Sequence, residues 1–215
     1  MRGLTALLLV VLPLAACAPA LAAEPAGRPG APVIVAFGDS LTAGQGVAAD
    51  RTYPALLAAR LEREGYDYRV VNAGVSGDTS AGGLRRVDWA LRLRPEIVIV
   101  ELGVNDALRG QKLAAVHANL DRIVARLQAA GARVLLAGMR LPPNYGDRYA
   151  EEFHRLYAEV ARARRVPLMP FFLDGVGGVP RLNQADGIHP TAEGYAIVVD
   201  RLWPHLVPLL RRSGG

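Results

Sequence analysis

The chain has 215 residues, 51% of them hydrophobic and 21% charged, with a formal net charge of +5. That length suits one domain with a full-sized core plus a short removable segment, and no interior stretch approaches the roughly 18 apolar residues of a membrane-spanning helix. The positive charge is almost all arginine, scattered along helical segments (Arg60, Arg85, Arg122, Arg162) rather than gathered in one run, which argues against a nucleic-acid surface.

The first 22 residues read as an export signal. Arg2 supplies the positive start, Leu4 to Pro13 the apolar stretch, and Ala20-Leu21-Ala22 a small-residue cleavage site. A second reading competes with it: Leu14-Ala15-Ala16-Cys17 fits a bacterial lipoprotein signal that ends at residue 16 and leaves a lipidated Cys17. Either way the protein is exported, with the periplasm as its expected compartment. A lipid on Cys17 or the basic surface would bring it to a membrane face. Cys17 is the only cysteine, so export here comes without an intrachain disulfide.

Residues 23–32, rich in Pro, Gly and Ala, form a linker, and residues 33–212 read as one domain without internal repeats. Apolar runs recur at Val33–Phe37, Arg69–Asn72, Ile97–Leu102, Arg133–Ala137 and Val166–Phe171. They do not alternate with polar residues, which predicts strands buried on both faces and hence a parallel sheet. Helix-period segments lie between them. One runs from Tyr53 to Glu64, led by Thr52 and Pro54 and stopped by Gly65; another carries Leu113, Val116, Leu120, Ile123 and Leu127 on one stripe. Asp147 is placed to cap a helix carrying Phe153, Leu156, Tyr157 and Val160, and Thr191 to open the last one. This alternation predicts a doubly wound α/β sandwich, in which ligands bind outside the carboxyl ends of the strands.

Polar clusters follow those strand ends. The first is Gly38-Asp39-Ser40-Leu41, where a serine on a tight turn can present its hydroxyl, and its N–H can face a developing oxyanion; the plainer reading is that Asp39 or Ser40 caps the next turn. The second, Ser76-Gly77-Asp78-Thr79-Ser80, offers glycine N–H groups, or simply a loop with a helix cap at Asp78 or Thr79. In the third, Gly103-Val104-Asn105-Asp106, the Asn105 amide could donate to an oxyanion or merely form a turn. The last is Asp186-Gly187-Ile188-His189-Pro190. Histidine is the usual general base for a serine hydroxyl, and Asp186, three positions earlier, can reach the other ring nitrogen. No P-loop or G-x-G-x-x-G is present, and no histidine pair has metal-ligand spacing, so neither a nucleotide nor a metal cofactor is expected.

With these four blocks in order, the chain resembles the GDSL, or SGNH, hydrolase family, and within it the small bacterial periplasmic thioesterases, lysophospholipases and arylesterases. Glu101–Gly110, Arg140–Gly146 and Pro167–Phe172 carry that closer likeness. The resemblance implies a flavodoxin-like three-layer α/β/α fold with a five-stranded parallel sheet. It also implies a triad of Ser40, Asp186 and His189, and an oxyanion hole from the Ser40 and Gly77 N–H groups and the Asn105 side chain. Gly74 competes with Gly77 as the block glycine. Val104 stands where many relatives have glycine and Ala107 where some do, and both add bulk beside Asn105. The implied activity is hydrolysis of small-molecule acyl esters and thioesters by a monomer. A carbohydrate or peptidoglycan O-acetylesterase would use the same residues, and a non-catalytic periplasmic binding protein is the alternative of another class.

Overall fold

A computed structural model describes residues 30–212. The export segment and Cys17 lie outside the described residues. Five parallel strands, β1 (Val33–Gly38), β2 (Arg69–Gly74), β3 (Ile97–Glu101), β4 (Arg133–Ala137) and β5 (Leu168–Met169), lie in the order β2-β1-β3-β4-β5. The central strands β1 and β3 are buried along their whole length, as their unbroken apolar runs require.

Among the described residues, seven helices lie around the sheet: α1 (Ser40–Ala43), α2 (Tyr53–Arg63), α3 (Ser80–Arg92), α4 (Val104–Leu108), α5 (Leu113–Ala129), α6 (Asp147–Arg164) and α7 (Ala192–Leu206). α2 packs with α7 on one side, while α3, α5 and α6 pack in series on the other. The stripe predicted on α5 puts Val116, Leu120, Ile123 and Leu127 in the core, with Leu113 partly buried beside them, and that on α6 buries Phe153, Leu156, Tyr157 and Val160. Hydroxyl caps start three of the helices. Thr52 accepts from the Ala55 N–H, Thr79 from Gly82 and Thr191 from Gly194.

Two local expectations are corrected. The last strand is two residues long, not the six of Val166–Phe171. Pro167 and Pro170 flank it and have no N–H to donate, so regular register with β4 holds only for Leu168 and Met169, although the Pro167 carbonyl accepts from the Leu136 N–H and the Phe172 N–H reaches the Gly138 carbonyl. Asp147 is the first residue of α6 rather than its cap; Gly146 holds the cap position and makes no side-chain bond there.

The strand order places the topological switch between β1 and β3, because the chain leaves β1 for β2 on one side and returns to β3 on the other. The crevice beyond their carboxyl ends is where a doubly wound fold binds its ligand.

Candidate active site

Ser40 stands first in α1, immediately after β1. Asp39 does the capping: its Oδ1 accepts from the Leu41 N–H at 3.0 Å. The serine hydroxyl is thereby left to another partner, and it lies 2.9 Å from Nε2 of His189. The other ring nitrogen, Nδ1, is 2.7 Å from Oδ2 of Asp186. A proton on Nδ1 leaves Nε2 as the acceptor from the serine, the arrangement a general base needs.

The turn that carries Asp186 and His189 is fixed from several sides. Oδ1 of Asp186 accepts from the N–H groups of Ile188 and His189 at 2.9 and 3.0 Å. The His189 N–H, then its ring, then the Ile188 N–H hold the Asp186 carboxyl at about 2, below the usual carboxylate range. Gly187 takes a φ of +70° inside that turn. Outside it, Gln184 N–H donates to the His189 carbonyl at 2.8 Å, and the buried Asn183 amide donates to the carbonyls of Val176 and Val179.

Gly77 and Gly74 turn out to need glycine for different reasons. A side chain on Gly74 would meet the backbone N of Ala43 at 2.1 Å, so Gly74 lets β2 pass under α1. Gly77 has open space around it but a φ of +77°, which L side chains rarely adopt. Its carbonyl accepts from Nη2 of Arg109 at 3.1 Å. Among the described residues nothing accepts from the N–H of Gly77 or of Ser40.

Asn105 lies in α4, just beyond Gly103, whose φ of +112° turns the chain out of β3. Its Nδ2 donates to Oδ2 of Asp39 at 2.9 Å and to the Asp78 carbonyl at 3.0 Å. Both amide hydrogens are therefore engaged, and an oxyanion would have to share one of them. Next to it, Asp106 accepts from both the N–H and the hydroxyl of Ser80 at 2.7 Å, which ties α4 to the start of α3. Val104 and Ala107 sit on this same short helix, with Ala107 fully buried.

Sequence reasoning did not single out Arg86, Glu101 or Arg109. Arg86, from α3, donates through Nε to Asp78 at 2.6 Å and through its two terminal nitrogens to the carbonyls of Ala73 and Gly38, each at 2.8 Å. Its guanidinium lies 4.0 Å from the centre of the Phe37 ring. Glu101, the last residue of β3, is fully buried and accepts from the Thr42 hydroxyl at 2.9 Å. Gly38 makes room for this contact, since a Cβ there would fall 1.9 Å from Thr42 Oγ1 and 2.7 Å from Glu101 Oε2. An acid closing an otherwise apolar strand was a visible signal for Glu101. Arg86 carried none beyond being one of many arginines.

A cavity of about 440 Å³ lies between Arg140, Phe171, Arg201 and His205, and its lining includes none of the four block residues. The block residues lie instead at the strand-end crevice. A serine hydroxyl, an imidazole and a carboxylate stand in hydrogen-bonded series there, with two free N–H groups on adjoining turns. This arrangement can carry out acyl transfer.

Residues 36–197 match the GDSL-like lipase/acylhydrolase family. Esterase TesA of Pseudomonas aeruginosa is 49% identical over 181 residues, covering 84% of this chain and 90% of the relative. The thioesterase 1/protease 1/lysophospholipase L1 of Escherichia coli (strain K12) is 40% identical over 184 residues, covering 85% and 87%. Among solved structures, the psychrotrophic esterase EstA from Pseudoalteromonas sp., inhibited by monoethylphosphonate, superimposes with a TM-score of 0.78 at 33% identity, covering 82% of this chain and 97% of that one. Because the match runs through every strand and every block that builds the crevice, the chain belongs to the GDSL-like lipase/acylhydrolase family and is a hydrolase of ester bonds.

Proposed function

We propose that this esterase and thioesterase works through an acyl-enzyme on Ser40, with His189 as general base and Asp186 as its orienting carboxylate. The observation that carries this reading is the His189 ring, which bridges Ser40 Oγ at 2.9 Å and Asp186 Oδ2 at 2.7 Å. His189 takes the Ser40 proton as the oxygen attacks the acyl carbonyl. The tetrahedral oxyanion draws on the N–H groups of Ser40 and Gly77 and on the Asn105 amide. His189 then protonates the departing alcohol or thiol, and water repeats the sequence to release the acid.

The substrate is a small-molecule ester or thioester whose acyl part meets apolar surface. Val75 and Ile188, two of the most exposed large hydrophobics described, are neighbours in sequence of Gly77 and His189. Relatives named as esterases, a thioesterase and a lysophospholipase support that class. Residues 33–212 form the catalytic domain, which acts as a monomer after export to the periplasm, with Cys17 as its lipid anchor if the lipoprotein signal is the one used.

Purified Ser40→Ala should keep its near-UV circular dichroism and lose about 10³-fold or more in hydrolysis of nitrophenyl esters. Labelling by a fluorophosphonate probe should vanish with it. Normal turnover by Ser40→Ala would sink the assignment.

A further inference from the structure

The steps above leave two buried acids unused. Asp39 and Glu101 are both fully buried, and they pack against each other beneath the nucleophile turn. Their supplies of donors differ. Asp39 accepts from the Leu41 N–H and from the Asn105 amide. Glu101 accepts from the Thr42 hydroxyl, on Oε2, and draws more weakly on the Asp39 N–H, while its Oε1 is enclosed with no donor within bonding distance.

Among the described residues no arginine or lysine compensates them; His189 is the one basic group that lowers Asp39. Neither acid takes part in any described ion pair with arginine or lysine, and the neighbouring Arg86 spends its guanidinium on Asp78 and two strand-end carbonyls. The other groups facing the pair are Tyr53 from α2, Tyr157 from α6, Tyr195 from α7, and His189. Burial pushes all three phenols up, so they remain neutral at ordinary pH. Two carboxylates cannot both ionise in such a space. The one with an oxygen that receives no donor, Glu101, retains the proton.

Burial raises Asp39 to about 6 and Glu101 well above its ordinary value. The two side chains also touch each other, so one proton can be shared between them.

We propose that Glu101 is a positioning residue: it stays a neutral acid, donates its proton to Asp39, and so keeps Asp39 an ionised acceptor that aims the Asn105 amide. The inference rests on reading Asn105 as an oxyanion donor. The proton remains between the two acids throughout; no step of the acyl transfer consumes it. Gly38 serves the same device, because only a residue without a Cβ admits Thr42 and Glu101 at this spacing.

Taking away the donor pushes Asp39 up further, so the loss of activity on acidification should begin at a higher pH. Three forms of the chain test this: wild type, Glu101→Gln, which keeps a donor, and Glu101→Leu, which keeps the volume and has none. In wild type with carbon-13-labelled glutamate, the Glu101 carboxyl carbon should hold its protonated shift from pH 5 to 8. Glu101→Gln should retain kcat within about threefold, whereas Glu101→Leu should lose about tenfold or more in kcat at unchanged KM, with its acid limb moved to higher pH.

An ionised Glu101 carbon at pH 7 would overturn the proposal. So would a Gln variant as impaired as the Leu variant, or a Leu variant with the acid limb of wild type. Where Glu101→Leu does not fold, the carbon-13 titration and the Gln variant decide. The titration needs no substrate, so its result is read apart from the esterase assay.

Discussion

Asp39 and Ser40 are chain neighbours with opposite assignments, and the division between them makes the serine available. Asp39 turns inward to cap α1 and to receive Asn105, which leaves the Ser40 hydroxyl to His189 alone. A comparable economy holds at Asp186, where one carboxylate fixes both the backbone of its turn and the imidazole ring. Its carboxyl is held at about 2, first by the His189 N–H. A depressed acid stabilises the fold above its unfolded value, about 4, and that contribution fades as pH falls toward about 2. Asp186→Asn should therefore melt below wild type at pH 7, with the gap closing between about pH 4 and pH 2. Its esterase activity at neutral pH should fall about 10³-fold or more, since the ring loses the group that selects its tautomer. Thermal melts across that range check the first expectation, and an equal gap at pH 2 and pH 7 would contradict it.

The elements meet at the strand ends, and Arg86 is the side chain that binds them. From α3 it holds the last carbonyl of β1, a carbonyl near the end of β2 and the Asp78 carboxylate beside Gly77. Arg86→Ala would take one donor from each of the Ala73 and Gly38 carbonyls and the counter-charge from Asp78, leaving Gly38 with the Val75 N–H and Asp78 with the Thr79 N–H, which costs about 2 kcal/mol. Urea unfolding should show that loss, and kcat should fall as the Gly77 turn loosens. Lysine should not restore either property, because a single ammonium cannot span three acceptors. Such a contact is hard to read from sequence. The partner carbonyl of Gly38 lies 48 positions away, and Arg86 looks no different from Arg85 beside it. The strands and helices were legible because burial on both faces of β1 and β3 demands unbroken apolar runs, and because hydroxyl caps announce α2, α3 and α7. The blocks around Ser40, Gly77, Asn105 and His189 were legible for a related reason: each has small or turn-forming residues at a strand end. What escaped was pairing across the fold, including the link from Asn105 to Asp39 and the acid behind it.

For the whole molecule, the sheet order brings the β1 and β3 ends together at the switch point, and the α7 side supplies the His189 turn. The described surface carries few large exposed hydrophobics, Val75, Trp89 and Ile188, and two of these border the crevice. That is far less than the extended apolar face of an obligate dimer. Sedimentation equilibrium of residues 30–212 should give the mass of one copy up to about 100 μM, and a dimer at micromolar concentration would contradict this. The shortness of β5 bears on the same surface in another way. A foreign strand approaching that edge finds a strand of only two residues, followed by Pro170, which has no N–H to donate. The prolines that cut β5 short thus act as gatekeepers, leaving this side of the sheet no template for end-to-end growth into fibrils.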